Sequence, residues 1–151
     1  MINVGVISDT HGFLRPEAIA ALRGSDYILH AGDIGSPEVL AELEQIAPVS
    51  AIRGNVDIEP WAEAIPLTRT VEIEGQNFYL IHNRAELKQT PAGTSAIIFG
   101  HSHQPLIEVR DDVLYFNPGS AGPRRFKLPV SIGRIYIRDG KLSPALVALL
   151  P

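Results

Sequence analysis

The sequence contains no cysteine. That absence removes disulfides, thiolate metal sites and cysteine nucleophiles at once, and leaves thiol usage silent about compartment. Apolar runs are short as well. None approaches the 18 or so residues of a membrane-spanning helix, and Met1 leads straight into "INVGVISD" without a basic segment and long apolar stretch, so no signal peptide is read and the cytoplasm is expected. Positive charge is scarce, with 13 Lys and Arg against 17 Asp and Glu and a formal net charge of −4. A basic face for anionic membrane or sequence-blind nucleic-acid binding is therefore not expected. Repeats, low-complexity tracts and linkers are also missing. At 151 residues, the chain fits one domain over 1–151, long enough to bury roughly 70% of its unfolded surface.

The first third alternates strand and helix patterns. "INVGVI", "YILH" and "VSAI" read as short buried strands. Pro16 to Leu22 reads as a helix with proline in its first turn and Gly24 at its end, and Ser36 caps a second helix over "PEVLAELEQI". After Pro66 the texture changes to strands and turns. "TRTVEIE" and "NFYLIH" flank Gly75-Gln76 as a hairpin, with further hairpins at Asp111-Asp112 and Asp139-Gly140. "SAIIFG" is one more buried strand, and the loop from Asn83 to Thr94 carries at most a short helix. The chain reads as α/β, with a mixed sheet or two sheets packed face to face.

Polar residues cluster where the strands end. Asp9 and His11, Asp33, then Asn55 and Asp57 follow the three βα strands, where open α/β sheets place their ligand crevice. His82 ends "FYLI", and His101 with His103 follow "AIIF" in "GHSH". Residues two apart on a strand share a side, and two imidazoles on one side gain from a cation. Each feature alone suits a turn or a hydrogen-bonded histidine. Together, Asp9, His11, Asp33, Asn55, His82, His101 and His103 are too many donors for one tetrahedral zinc with an open position. They suit two divalent ions ~3.5–4 Å apart with a carboxylate between them. Manganese fits this N/O donor set, as do nickel, zinc, iron or cobalt.

The blocks "DTHG", "GDIG", "GNVD", "IHN" and "GHSH", in this order, with "NPGS" at Asn117 to Ser120, resemble the calcineurin-like metallophosphoesterase superfamily, in particular its small YfcE-type phosphodiesterase branch. The resemblance covers essentially the whole chain. It implies a four-layer α/β/β/α sandwich of two mixed sheets flanked by helices. It also implies that Asp9, His11 and His103 hold one ion, that Asn55, His82 and His101 hold the other, and that Asp33 bridges. The implied reaction is hydrolysis of small phosphodiesters, and of monoesters less well, by in-line attack of a metal-bridging hydroxide, with Asn55 also positioning the phosphoryl group. Homodimers or homotetramers are implied too, and Trp61 in "IEPWAEAIP" is a candidate interface aromatic or a core residue. Two positions depart from the pattern. Val56 stands where larger phosphatases carry a histidine that serves the leaving group or phosphate, and Asn83 replaces a glycine.

His30 and Arg124 are candidates for substrate contact, His30 otherwise a core residue and Arg124 otherwise part of a solvated loop with Arg125 and Lys127. No nucleophile-elbow pattern surrounds Ser8 or Ser120. Two other functions are compatible with a fold of this kind. A non-catalytic protein-binding scaffold, resembling the retromer subunit of this fold, predicts a lost ligand, and none of the seven is missing. A structure-specific nuclease is disfavoured by size and acidic balance.

Overall fold

The computed structural model describes residues 1–151. Two five-stranded mixed sheets form it. The first is built from β1 (Ile2–Ile7), β2 (Tyr27–His30), β3 (Val49–Ala51), β9 (Ser131–Arg138) and β10 (Lys141–Ala148), in the order β10-β9-β1-β2-β3. The second contains β4 (Thr68–Ile73), β5 (Gln76–Ile81), β6 (Ala96–Ile98), β7 (Leu106–Arg110) and β8 (Val113–Asn117), in the order β4-β5-β6-β8-β7. In each sheet three strands run parallel at the centre or one side, β1-β2-β3 and β5-β6-β8. Antiparallel partners close the other positions.

Strand alternation decides what each residue packs against. Val4 and Val6 of β1 face the second sheet, where they join Leu29, Ile52, Phe78, Leu80, Ile98 and Phe116 in the inter-sheet core. Full burial of each such side chain contributes about 1.5–3 kcal/mol. Ile7 faces the other way, with Ile28 and Ile132, onto the helices. Helices α1 (Pro16–Leu22) and α2 (Pro37–Glu44) each bury an i, i+4 pair, Ala18 with Leu22 and Val39 with Leu43. Proline opens both, and Glu17 and Glu38 lie in their first turns, where negative charge suits the helix dipole.

The expected sandwich is present, with a thin fourth layer. The outer face of the second sheet, around Ile81, Ile97 and Phe99, is covered by Leu87 and the loop holding a one-turn 3-10 helix, Arg84–Glu86. Three local expectations are corrected. Ser36 occupies the N-cap position of α2 but its side chain makes no capping bond, and α2 stops two residues before Ile46. The first hairpin turns on Glu74-Gly75 rather than Gly75-Gln76, because Ile73 pairs with Gln76 and the two turn residues both take positive φ, 50° and 78°, as a type I′ turn requires. Trp61 sits in a 3-10 turn, Pro60–Ala62, half-buried against the helix-side core. No helix is long and apolar enough to cross a membrane.

Candidate metal centre

The parallel strands of both sheets deliver their carboxyl ends to one crevice, and backbone hydrogen bonds between the exiting loops lock it. Asp9 N–H donates to Gly32 O (3.0 Å), His11 N–H to Asp33 O (2.9 Å), and Gly100 N–H to His82 O (3.0 Å). Close packing leaves no room for side chains at two glycines here. A Cβ at Gly54 would collide with the Asp33 carboxylate, and one at Gly100 would lie 2.6 Å from Asp9 Oδ2. Asp9, His11, Asp33, His101 and His103 all take positive φ, between 50° and 70°. Asp and His are enriched in that region among non-glycine residues, and such strain gathers at functional sites.

The side chains fall into two groups, Asp9 with His11 and His103, and Asp33 with His82 and His101. The paired imidazoles lie close, with ring centroids 5.4 Å apart for His11 and His103 and 5.2 Å for His82 and His101. His101 and His103 do join different groups, but not by strand alternation. β6 ends at Ile98, and the two histidines occupy a left-handed turn (φ 70° and 63°) closed by Ser102 N–H on Gly100 O. The turn aims them at separate groups, and leaves His101 exposed while His103 is buried.

Each carboxylate has one oxygen tied and one presented. Asp9 Oδ2 accepts from Ser8 Oγ (2.7 Å) and from His101 N–H (3.1 Å). Its Oδ1 has no hydrogen-bond partner and faces His103, His11 and His82 Nε2 at 3.4, 3.8 and 3.8 Å. Asp33 Oδ1 accepts from Val56 N–H (3.2 Å). Its Oδ2 lies between the groups, 3.1 Å from His82 Nε2 and 3.7 Å from His11 Nε2. The Ala31 carbonyl, 2.7 Å from His82 Nδ1, accepts a hydrogen bond from N–H at that nitrogen and turns Nε2 to the crevice. His82 Nε2 and His11 Nε2 are buried without a hydrogen bond, the 3.1 Å approach to Asp33 lacking the alignment of one. Burial would raise the Asp33 pKa, but His82 and the Val56 amide bring it from 3.8 down to about 2. Burial would lower that of His82, but Asp33, Asp9 and the Ala31 carbonyl hold it above 6.5.

Buried oxygen and nitrogen atoms facing one another without partners need an explanation, and a cation between them supplies one. The donors are imidazole and carboxylate only, a set suited to first-row divalent ions. Residues 2–140 match the calcineurin-like phosphoesterase superfamily domain. The chain belongs to that superfamily. A probable metallophosphoesterase of Methanothermobacter thermautotrophicus is 42% identical over 95% of this chain and 91% of its own. Among solved structures, the phosphoesterase YfcE of E. coli superposes with a TM-score of 0.70 at 26% identity, over 99% of this chain and 100% of that one. Vps29 of Entamoeba histolytica superposes with a TM-score of 0.77 at 18% identity, over 97% and 99%, which shows a shared fold.

Beside the two groups, the chain opens a cleft of about 600 Å³ lined by Asn55, His82 and His101 together with Arg53, Leu67, Tyr79, Asn83 and Lys88. Asn55 thus shares the cleft wall with His82 and His101. His30 is not in the cleft. It is fully buried, Nδ1 accepting from Gly32 N–H (3.1 Å) and Nε2 contacting Thr10 Oγ1 (3.0 Å), and burial holds its pKa down at about 4 against the pull of Asp9. Its expected substrate contact gives way to a core role. Arg124 is also elsewhere, exposed and donating to Pro151 O (3.1 Å). Asp57 accepts the backbone N–H groups of Ile34, Gly35 and Gly54, which makes it a tie between loops. Asn83 keeps φ at −111° and caps the 3-10 turn through Ala85 N–H.

Sequence reasoning missed Arg53, Lys88 and the function of "NPGS". Asn117 is fully buried and donates to Gly100 O (3.1 Å) and Ser102 Oγ (3.2 Å), the residues either side of His101. It accepts from Gly119 N–H (2.9 Å), and Ser120 Oγ donates to Asp9 O (3.2 Å). The motif is a truss between Asp9 and the histidine turn. Its recurrence beside "GHSH" in the YfcE-type pattern was the available signal.

Proposed function

We propose that this chain is a phosphodiesterase that works through two divalent ions. Asp9, His11 and His103 would hold one, Asn55, His82 and His101 the other, and Asp33 would bridge. The observation that carries this reading is the set of buried, unpartnered Asp9 Oδ1, His11 Nε2 and His82 Nε2 atoms, with Asp9 and His82 turned inward by bonds on their other atoms. Bound divalent ions supply a hydroxide nucleophile near neutral pH and neutralise phosphoryl oxygens. The protein's own part is positional. Ser8 and the His101 amide aim Asp9, the Ala31 carbonyl fixes the His82 tautomer, and exposed Asn55 on the cleft wall orients the phosphoryl group.

Val56 decides the preference among esters. Its side chain is 44% exposed beside Asp33 and has no proton to give. Asp57 and His30 are committed to backbone and hydroxyl partners, so neither replaces it. Good leaving groups, which need no acid, are then favoured. The scaffold alternative rests on the shared fold and leaves the unpartnered donors without a use. Metal-free protein supplied with manganese, and separately with nickel, zinc, iron or cobalt, should cleave bis(p-nitrophenyl) phosphate clearly faster than p-nitrophenyl phosphate. Absence of hydrolysis with every ion would refute the enzyme reading, and equal rates would refute the role of Val56.

A further inference from the structure

The cleft beside the His82–His101 group is far larger than one phosphoryl group requires, and at about 600 Å³ it falls in the range of sites that enclose a whole small molecule. Two cations line it. Arg53 stands two residues before Asn55, where the chain leaves β3, and Lys88 comes from the loop after the Arg84–Glu86 turn. Neither belongs to an ion pair, since the Lys and Arg ion pairs in the molecule are those of Arg84 and Arg110 with Glu108. Glu86 is the one acidic residue on the cleft wall, and it pairs with neither cation. Arg53 Nε is moreover shielded from solvent and has no hydrogen-bond partner.

A buried guanidinium donor with no acceptor has an unmet demand. Guanidinium meets phosphate or carboxylate through parallel N–H donors in a planar fork, and Nε–H is one tine of that fork. Leu67, Tyr79 and Leu87 supply apolar wall, and Asn83 and Gln89 further hydrogen-bonding groups. The cleft therefore combines a surface for an uncharged organic body with an unneutralised pair of cations.

We propose that Arg53 and Lys88 form a second anion subsite, which selects phosphodiesters carrying a further phosphate or carboxylate on one ester arm. This rests on the phosphodiesterase reading above. Arg53 and Lys88 set specificity and are not catalytic residues.

Two chromogenic diesters that differ by one phosphate test it: thymidine 5′-(p-nitrophenyl phosphate), with and without a 3′-phosphate. With manganese-loaded protein, kcat/KM should favour the 3′-phosphorylated ester by about 10–100-fold, the span expected of charge-assisted hydrogen bonds. That ratio should collapse towards one in Arg53→Gln, and Lys88→Gln, on a separate loop, should lower it partway. Calorimetry with thymidine 3′,5′-bisphosphate and thymidine 5′-phosphate should give the same order of affinities, with the difference abolished by Arg53→Gln. Equal affinities for the two nucleotides in the unsubstituted protein would overturn the subsite whatever the activity. A difference in affinity without hydrolysis of either ester would uphold the subsite and remove the phosphodiesterase reading.

Discussion

Exchanging Asn117 for aspartate keeps the shape of the side chain and removes its donor. Oδ1 can still accept from Gly119 N–H, but the atom facing Gly100 O becomes a second acceptor. The residue is fully buried, so water cannot repair the loss. A neutral hydrogen bond contributes about 1 kcal/mol, and a buried carbonyl left without a donor costs about 1–3 kcal/mol more. Desolvation of the new carboxylate adds to this. The two hydrogen-bond effects alone come to about 2–4 kcal/mol, or a fall in Tm of about 10 °C for a chain of this length. The chemical consequence is more specific than the loss of stability. Gly100 and Ser102 flank His101, and the same turn carries His103, which serves the other group. Asn117→Asp should therefore weaken both manganese sites together, by about tenfold or more. Urea unfolding of the metal-free variant and calorimetric manganese titration measure the two effects. A variant that unfolds at the original midpoint and binds both ions normally would show that the truss does not set the histidine turn.

Three further outcomes follow from the same geometry. Asp33→Asn removes the carboxylate whose Oδ2 lies between the groups, so both ions and turnover should be lost together, and retention of two tight ions with near-normal rate would mean Asp33 is not shared. In metal-free protein the raised pKa of His82 stabilises the fold fully below pH 6.5 and progressively less as pH rises through the raised value, while the depressed pKa of Asp33 stabilises it above pH 3.8 and is lost as pH falls through about 2. Burial of neutral His30, whose pKa falls to about 4, opposes the His82 contribution and is the larger shift, so the metal-free urea midpoint should rise from pH 5 to pH 8. Manganese affinity should rise over the same interval because His82 must shed its proton, and a midpoint that falls from pH 5 to pH 8 would contradict the neutral burial of His30. Val56→His should raise monoester turnover selectively, toward the ~10²–10⁴-fold a positioned acid contributes, and no gain would mean position 56 does not face the leaving group.

Much of this was legible in the sequence because it depends on local pattern. Alternating apolar runs placed the strands, proline at N1 placed both helices, and Asp-Asp and Asp-Gly pairs placed two hairpin turns. What escaped depends on backbone conformation or on contacts between distant segments. The Glu74-Gly75 turn shifted because Glu74 accepts positive φ, which its identity does not advertise. Strand alternation does not govern His101 and His103, because the strand ends at Ile98. His30 and Arg124 looked available for substrate because burial and the contact with Pro151 are not local properties. Arg53 and Lys88, distant in sequence, line one cleft whose walls come from both sheets and the loop over the second. The seven candidate ligands could be listed from strand ends, but the bonds that turn Asp9 Oδ1 and His82 Nε2 inward appear only in three dimensions.

On the proposed reading, these residues hold two ions on one chain. Metal-free protein reconstituted with manganese, freed of excess ion and subjected to elemental analysis, should contain close to two manganese ions per chain, with diester hydrolysis reaching its maximum as the second ion binds. A tight plateau at one ion per chain with full activity would contradict it.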